Sequence, residues 1–265
     1  MIGVFDSGIG GLTVLRELVR RLPGYRMVYF GDTARTPYGT KSPETIIRYA
    51  IEDTEYLLKR GARVIVVACH SASSVATEAL KERFPDIPIF EVVTPSVSKA
   101  LRVTRKKVIG VIGTRATIGS GIYQRLIKDR DPEVKVYGNA CPLLVPLVEE
   151  GWLKKPETRM IVKKCLLPLK MRGMDTLILG CTHYPVLKKV IQAKAGKRVT
   201  LVDPAEELAE EVKVYLDNYP ELSRELEKDG EPLILVSDLT PAFSRIARIF
   251  LGRKVNLVKA EDAPS

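Results

Sequence analysis

Short apolar runs alternate along the chain with segments whose apolar positions recur every three or four residues. The runs are too short for helices and apolar at successive positions, which predicts buried strands at 2–5 ("IGVF"), 26–31, 63–68, 107–113, 176–180 and 198–202. Helical spacing follows them. Leu12, Leu15, Val19 and Leu22 recur after "GIGG", and Leu208, Val212 and Leu216 recur after "VDPAEE". Ser42-Pro43 and Asp203-Pro204 each place a capping side chain before a proline suited to the first helical turn. Continuously apolar strands separated by helices predict parallel sheets covered on both faces, so the fold class is α/β.

The pattern also repeats. "IGVFDSG" near the start matches "IGVIGTR" at 109–115, and "VIVVACHS" matches "LILGCTHY", with Cys69 and Cys181 in equivalent places. Landmarks in matched order predict two copies of one α/β unit, with a boundary near Val93 to Pro95. A further strand–helix–strand pattern follows residue 207 ("LILVS", then "VNLVK"), and periodicity alone does not assign its sheet. In open α/β sheets ligands sit beyond the carboxyl ends of the strands, where Asp6, Asp32, Cys69 and Cys181 all fall. If the units face each other, the two cysteines meet across a cleft.

Composition narrows the function. A chain of 265 residues can bury a sizeable core, and 45% hydrophobic with 28% charged residues is ordinary for a globular protein. No apolar run approaches the roughly 20 residues that span a bilayer, and no signal peptide opens the chain, so neither a membrane nor export is expected. Four cysteines in such a length read as free thiols in a reducing cytoplasm. The net charge of +10 invites nucleic acid, but its lysines and arginines are dispersed and no nucleic-acid motif accompanies them.

The chain has only two histidines, and both lie beside a cysteine at a strand end: Cys69-His70 and Cys181-Thr182-His183. Four uses compete. A zinc site would need both side chains of an adjacent Cys-His pair on one ion, and no Cys-x-x-Cys is present. A hydrolytic Cys-His nucleophile needs one cysteine, not two in duplicate settings. Inert buried thiols fit Cys141 and Cys165 better, since Cys165 sits in a helical pattern without polar company. The fourth use is a pair of acid/base groups on opposite faces of one carbon, and only this use explains the duplication. It needs no cofactor and no metal. A free thiol near pKa 8.5 must be helped to ionise, and His, Ser71 and Thr182 are suitable neighbours. "FDSGIGGL" adds Asp6, Ser7 and three glycines opening a helix, whose first amides are expected to bind an anion.

"VFDSGIGGLTVLREL", "YFGDTARTPYG", "PLVEEG" and "LGCTHYP" closely resemble the glutamate racemase family, in order and across nearly the whole chain. The resemblance implies two pseudo-symmetric α/β domains facing each other across a central cleft, with residues 1–94 and 208–265 in the first and 95–207 in the second. It implies cofactor-independent interconversion of L- and D-glutamate in the cytoplasm for peptidoglycan, and it admits a homodimer. Carried over by motif, Cys69 and Cys181 are the proton donor/acceptors, and Asp6 and His183 assist them. Asp6, Ser7, Tyr38, Gly39, His70, Ser71, Thr182 and His183 are the substrate contacts. Glu149 resembles a further acidic site residue, its other reading being an exposed helix carboxylate. One departure stands out: the family has Asn-Thr where this chain has His70-Ser71. A histidine that charges there is expected to depress activity in acid. Two other readings remain open, a racemase of another amino acid such as aspartate and a non-catalytic amino-acid binder. The family's aspartate branch carries Glu in place of His183, and binding alone requires neither cysteine.

Overall fold

A computed structural model of the chain describes residues 1–228 and 230–264. Its first strands are β1 (Ile2–Asp6), β2 (Met27–Gly31), β3 (Val64–Val67), β4 (Ile89–Glu91) and β5 (Val108–Gly113). They are followed by β6 (Lys135–Ala140), β7 (Thr176–Gly180), β8 (Thr200–Val202), β9 (Leu233–Val236) and β10 (Val258–Lys259). The helices in the first part are α1 (Leu12–Arg21), α2 (Pro43–Lys59), α3 (His70–Arg83), α4 (Val93–Val103), α5 (Arg115–Gly119) and α6 (Ile122–Arg130). Later come α7 (Leu144–Glu149), α8 (Pro156–Met171), α9 (Lys188–Ala195), α10 (Pro204–Asn218), α11 (Pro220–Glu225) and α12 (Pro241–Leu251).

The strands form a six-stranded sheet, β10-β9-β2-β1-β3-β4, and a four-stranded sheet, β6-β5-β7-β8. Every pairing within them is parallel. The fold is α/β, as the alternation of runs and helices implies. Side-chain period two explains the apolar runs. Ile2, Val4, Val64 and Val66 face one core cluster, while Phe5, Ile65 and Val67 face another on the opposite side of the sheet. With both faces covered by helices, no polar position interrupts the middle of either strand. The order β2-β1-β3-β4 recurs as β6-β5-β7-β8, which is the sequence repeat seen as topology.

Both predicted helix starts hold. Ser42 accepts a hydrogen bond from the Thr45 amide at 3.4 Å, and Asp203 accepts one from the Ala205 amide at 3.2 Å, each ahead of its proline. Two strands lie outside the pattern-based set. β4 has only three residues, and β6 is an edge strand of exposed and half-buried positions that never forms an apolar run. The segment after residue 207 finds its sheet: β9 pairs with β2, and β10 pairs with β9. Among the described residues no helix is long and apolar enough to cross a membrane.

Candidate active site

The two cysteines end equivalent strands in different sheets, and both line one cavity of about 320 Å³. That volume is at the small end for ligand sites. Cys69 follows β3 and is the N-cap of α3, with its carbonyl accepting from the Ser73 amide at 2.8 Å. Cys181 follows β7 and opens the turn that leads into residues 184–187, with its carbonyl accepting from the Tyr184 amide at 3.1 Å. Ser7, Tyr38, Gly39, His70, Ser71, Thr182, His183 and Glu149 share the cavity wall with them.

The environments of the two thiols differ. Burial pushes the Cys69 thiol up to about 12, and the nearby Asp6 carboxylate pushes the same way; hydrogen bonds from Ala72 and Ser7 oppose them. Asp6 is itself raised by burial, while His183 pulls it down. Around Cys181 the charge is reversed. Burial would lower His183, but hydrogen bonds to Cys181 and Glu149 outweigh it and hold the imidazole up at about 10, so it is a cation. His183 Nδ1 lies 3.9 Å from Cys181 Sγ, and Nε2 lies 3.0 Å from Glu149 Oε1. Glu149 is thus tied to the site through His183, although its side chain is 39% exposed.

Several expected substrate contacts sit differently from their sequence reading. Asp6 is behind the wall rather than on it: Oδ2 accepts from the Gly8 amide at 3.1 Å, and Oδ1 is buried without a partner. Tyr38 lines the cavity, but its hydroxyl is turned into a buried network, donating to Asp32 and lying 2.9 Å from Asp53. Arg35 completes that network. Asp32 therefore braces the wall instead of reaching the ligand.

The glycine-rich turn also has a different role from the expected anion cradle. The Leu12, Thr13 and Val14 amides already donate to the carbonyls of Ile9, Gly10 and Gly11. They are not free for a ligand. What the turn needs is closeness. A Cβ on Gly10 would lie 2.5 Å from His183 Cε1 and Nδ1 and from Thr182 Oγ1, and one on Gly11 would lie 2.5 Å from Asp6 Cβ.

His70 corrects a further expectation. It is buried, neither ring nitrogen has a hydrogen-bond partner, and burial lowers it to about 3. It is neutral across the working range, so it does not set an acid limb of activity. It acts on stability instead. A histidine with an ordinary value of 6.5 gains its proton in the unfolded chain first, so stability is fully present above 6.5 and falls as pH drops toward 3. His70→Asn is expected to leave the pH dependence of turnover in place and to flatten the loss of melting temperature across that window. Thermal unfolding at several pH values checks this, and an equally steep loss in the variant would refute it.

Residues that the sequence reading missed complete the wall: Thr36, Pro37, Thr40, Thr114, Arg115, Pro142, Val145 and Pro146. The repeat carried a signal for one of them. Aligning "IGVFDSG" with "IGVIGTR" places Thr114 opposite Ser7, and both line the cavity. Phe250 of α12 had no such signal; its ring packs edge-on against His183 at 5.2 Å.

The family described as Asp/Glu/Hydantoin racemase matches residues 2–212. The chain belongs to this racemase family. A curated glutamate racemase from Geobacter metallireducens is 48% identical over 254 residues, covering 96% of this chain and 93% of its own length. One from Neisseria meningitidis serogroup B is 42% identical over 258 residues, covering 97% and 95%. Among solved racemases, isoform RacE1 of glutamate racemase from Bacillus anthracis superposes with a TM-score of 0.92 at 36% identity, covering 100% of this chain and 98% of that one. The Francisella tularensis glutamate racemase, solved with D-glutamate, gives 0.89 at 35% identity, covering 98% and 97%.

Proposed function

We propose that this racemase interconverts L- and D-glutamate without a cofactor, through Cys69 and Cys181. One sulfur, as thiolate, takes the α-proton from one face of the substrate. The other, as thiol, returns a proton to the opposite face, so the pair exchanges protonation states in each turnover. The observation that carries this reading is that two thiols from equivalent strand ends of two sheets line one cavity. The charges beside them support it: an imidazolium faces Cys181, and an acidic Asp6 lies behind Cys69. Each helper is suited to move or hold a proton at its own sulfur. Hydroxyls of Ser7, Ser71, Thr114 and Thr182, with Arg115, supply donors for the substrate's carboxylates. Asp6 and Tyr38 hold the wall, with Gly39 and His70 part of its surface.

In this reading residues 1–94 with 208–265 form one domain and 95–207 the other. The product serves peptidoglycan synthesis in the cytoplasm, and a homodimer is compatible with the site lying within one chain. The test is circular dichroism of L-glutamate incubated with protein dialysed against a chelator, with L-aspartate in parallel. The glutamate signal is expected to decay to zero while that of aspartate persists. A persistent glutamate signal would leave a binder, and activity restored only by zinc would revive a metal at Cys69, His70, Cys181 and His183.

A further inference from the structure

Helix α8 buries Thr158, Val162, Leu166 and Leu169 against the second sheet, which accounts for one face. Its outward face is not polar. Met160 is 52% exposed, Leu167 50% and Met171 80%, and their spacing of seven and four residues puts them on one stripe along the helix. Trp152, just ahead of the helix, is 43% exposed. The exposed charges along and just ahead of the helix are mainly cations, Lys154, Lys155, Arg159, Lys163 and Lys164 against the single carboxylate of Glu157. None of the five enters an ion pair among the described residues, whereas lysines elsewhere such as Lys107, Lys188 and Lys213 do. A stripe of exposed apolar side chains flanked by unpaired cations has the composition of a contact surface.

We propose that the outward face of α8 docks this enzyme on an anionic lipid bilayer surface. The apolar stripe enters the headgroup boundary, and the lysines, with flexible apolar stems, reach the surrounding phosphates. A second copy of the chain fits the same face poorly. Lys163 and Lys164 lie between Met160 and Leu167, so pairing two such stripes about a two-fold axis draws the lysines of both copies into one interface. A single helix ridge with exposed, unpaired lysines also suits a diffuse plane of charge better than the fixed pockets of an acidic protein. The association lies beyond the active site, because none of these residues lines the cavity. It revises the expectation of no membrane contact, while leaving the chain without a spanning helix.

Sedimentation with vesicles tests it. The full chain is expected to pellet with phosphatidylglycerol-containing vesicles, to stay in solution with pure phosphatidylcholine, and to be released by high salt. Leu167→Glu/Met171→Glu should weaken the anionic-vesicle partition by at least about tenfold with racemisation unchanged, which also shows that the variant folds. Lys59→Gln/Lys128→Gln carries the same change in net charge on exposed positions away from α8, and should retain most of the partition. Three results would overturn the proposal: no pelleting with anionic vesicles, equal loss in both variants, or a wild-type dimer that Leu167→Glu/Met171→Glu converts to monomer. Capture of a soluble acidic protein in place of vesicles would overturn it as well.

Discussion

Cys69→Ser and Cys181→Ser are each expected to lose nearly all racemisation, by roughly 10²- to 10⁴-fold, the range for a positioned acid/base group. A serine hydroxyl is far too weak an acid to sit deprotonated at neutral pH, so either change silences one face of the substrate carbon. A glutamate analogue with a good leaving group on its β-carbon separates the faces. Its elimination needs only the first deprotonation, so each variant should still consume one enantiomer. By the family resemblance, Cys69→Ser keeps the L-form and Cys181→Ser the D-form. The electrostatics add a second signature. In Cys181→Ser the base is Cys69, which burial and Asp6 push up to about 12, so elimination by this variant should keep rising through the alkaline range. Rates for both enantiomers across pH in both variants are the measurement. If either variant kept full racemase activity, or both preferred the same enantiomer, one cysteine would be an inert buried thiol.

The second large effect belongs to a residue with no chemistry of its own. A methyl group on Gly10 would overlap the His183 ring and the Thr182 hydroxyl at 2.5 Å. The ring cannot easily step aside, since Glu149 holds Nε2 and Phe250 packs edge-on against it. Gly10→Ala should therefore displace the imidazolium from Cys181 and lower kcat by about 100-fold, as misplacement by an ångström can. Gly119→Ala, with no neighbour within 4 Å, is the control and should be near neutral. Steady-state kinetics on the two variants decide the matter; unchanged kcat in Gly10→Ala would mean that the loop gives way without cost to the site.

How much of this was legible follows from where information sits in a sequence. The apolar runs of β1, β3, β5 and β7 are readable because strands buried on both faces confine polar residues to their ends, as with Asp6 and Thr176 here. The exposed edge strand β6 has no such constraint and leaves no trace. Both cysteines were legible through their doubled setting. Pattern could not say that Asp6 stands behind the wall, that Tyr38 spends its hydroxyl on Asp32 and Asp53, or that His70 is neutral. Those depend on which side chains the fold packs around each group. The glycines of "GIGG" were seen but assigned the wrong purpose, because an amide cradle and a close-packing turn demand the same residue type.

Each thiol-bearing loop is held by the opposite half of the repeat. Thr13 at the start of α1 lies 3.0 Å from the Thr182 carbonyl, beside Cys181. Ser71, two residues past Cys69, shares a hydrogen bond of 3.0 Å with Thr114 at the end of β5. These clasps cross the cleft in both directions. A substitution that shifted one half against the other would strain both contacts, so the loops of the two sulfurs are coupled in position and not set independently.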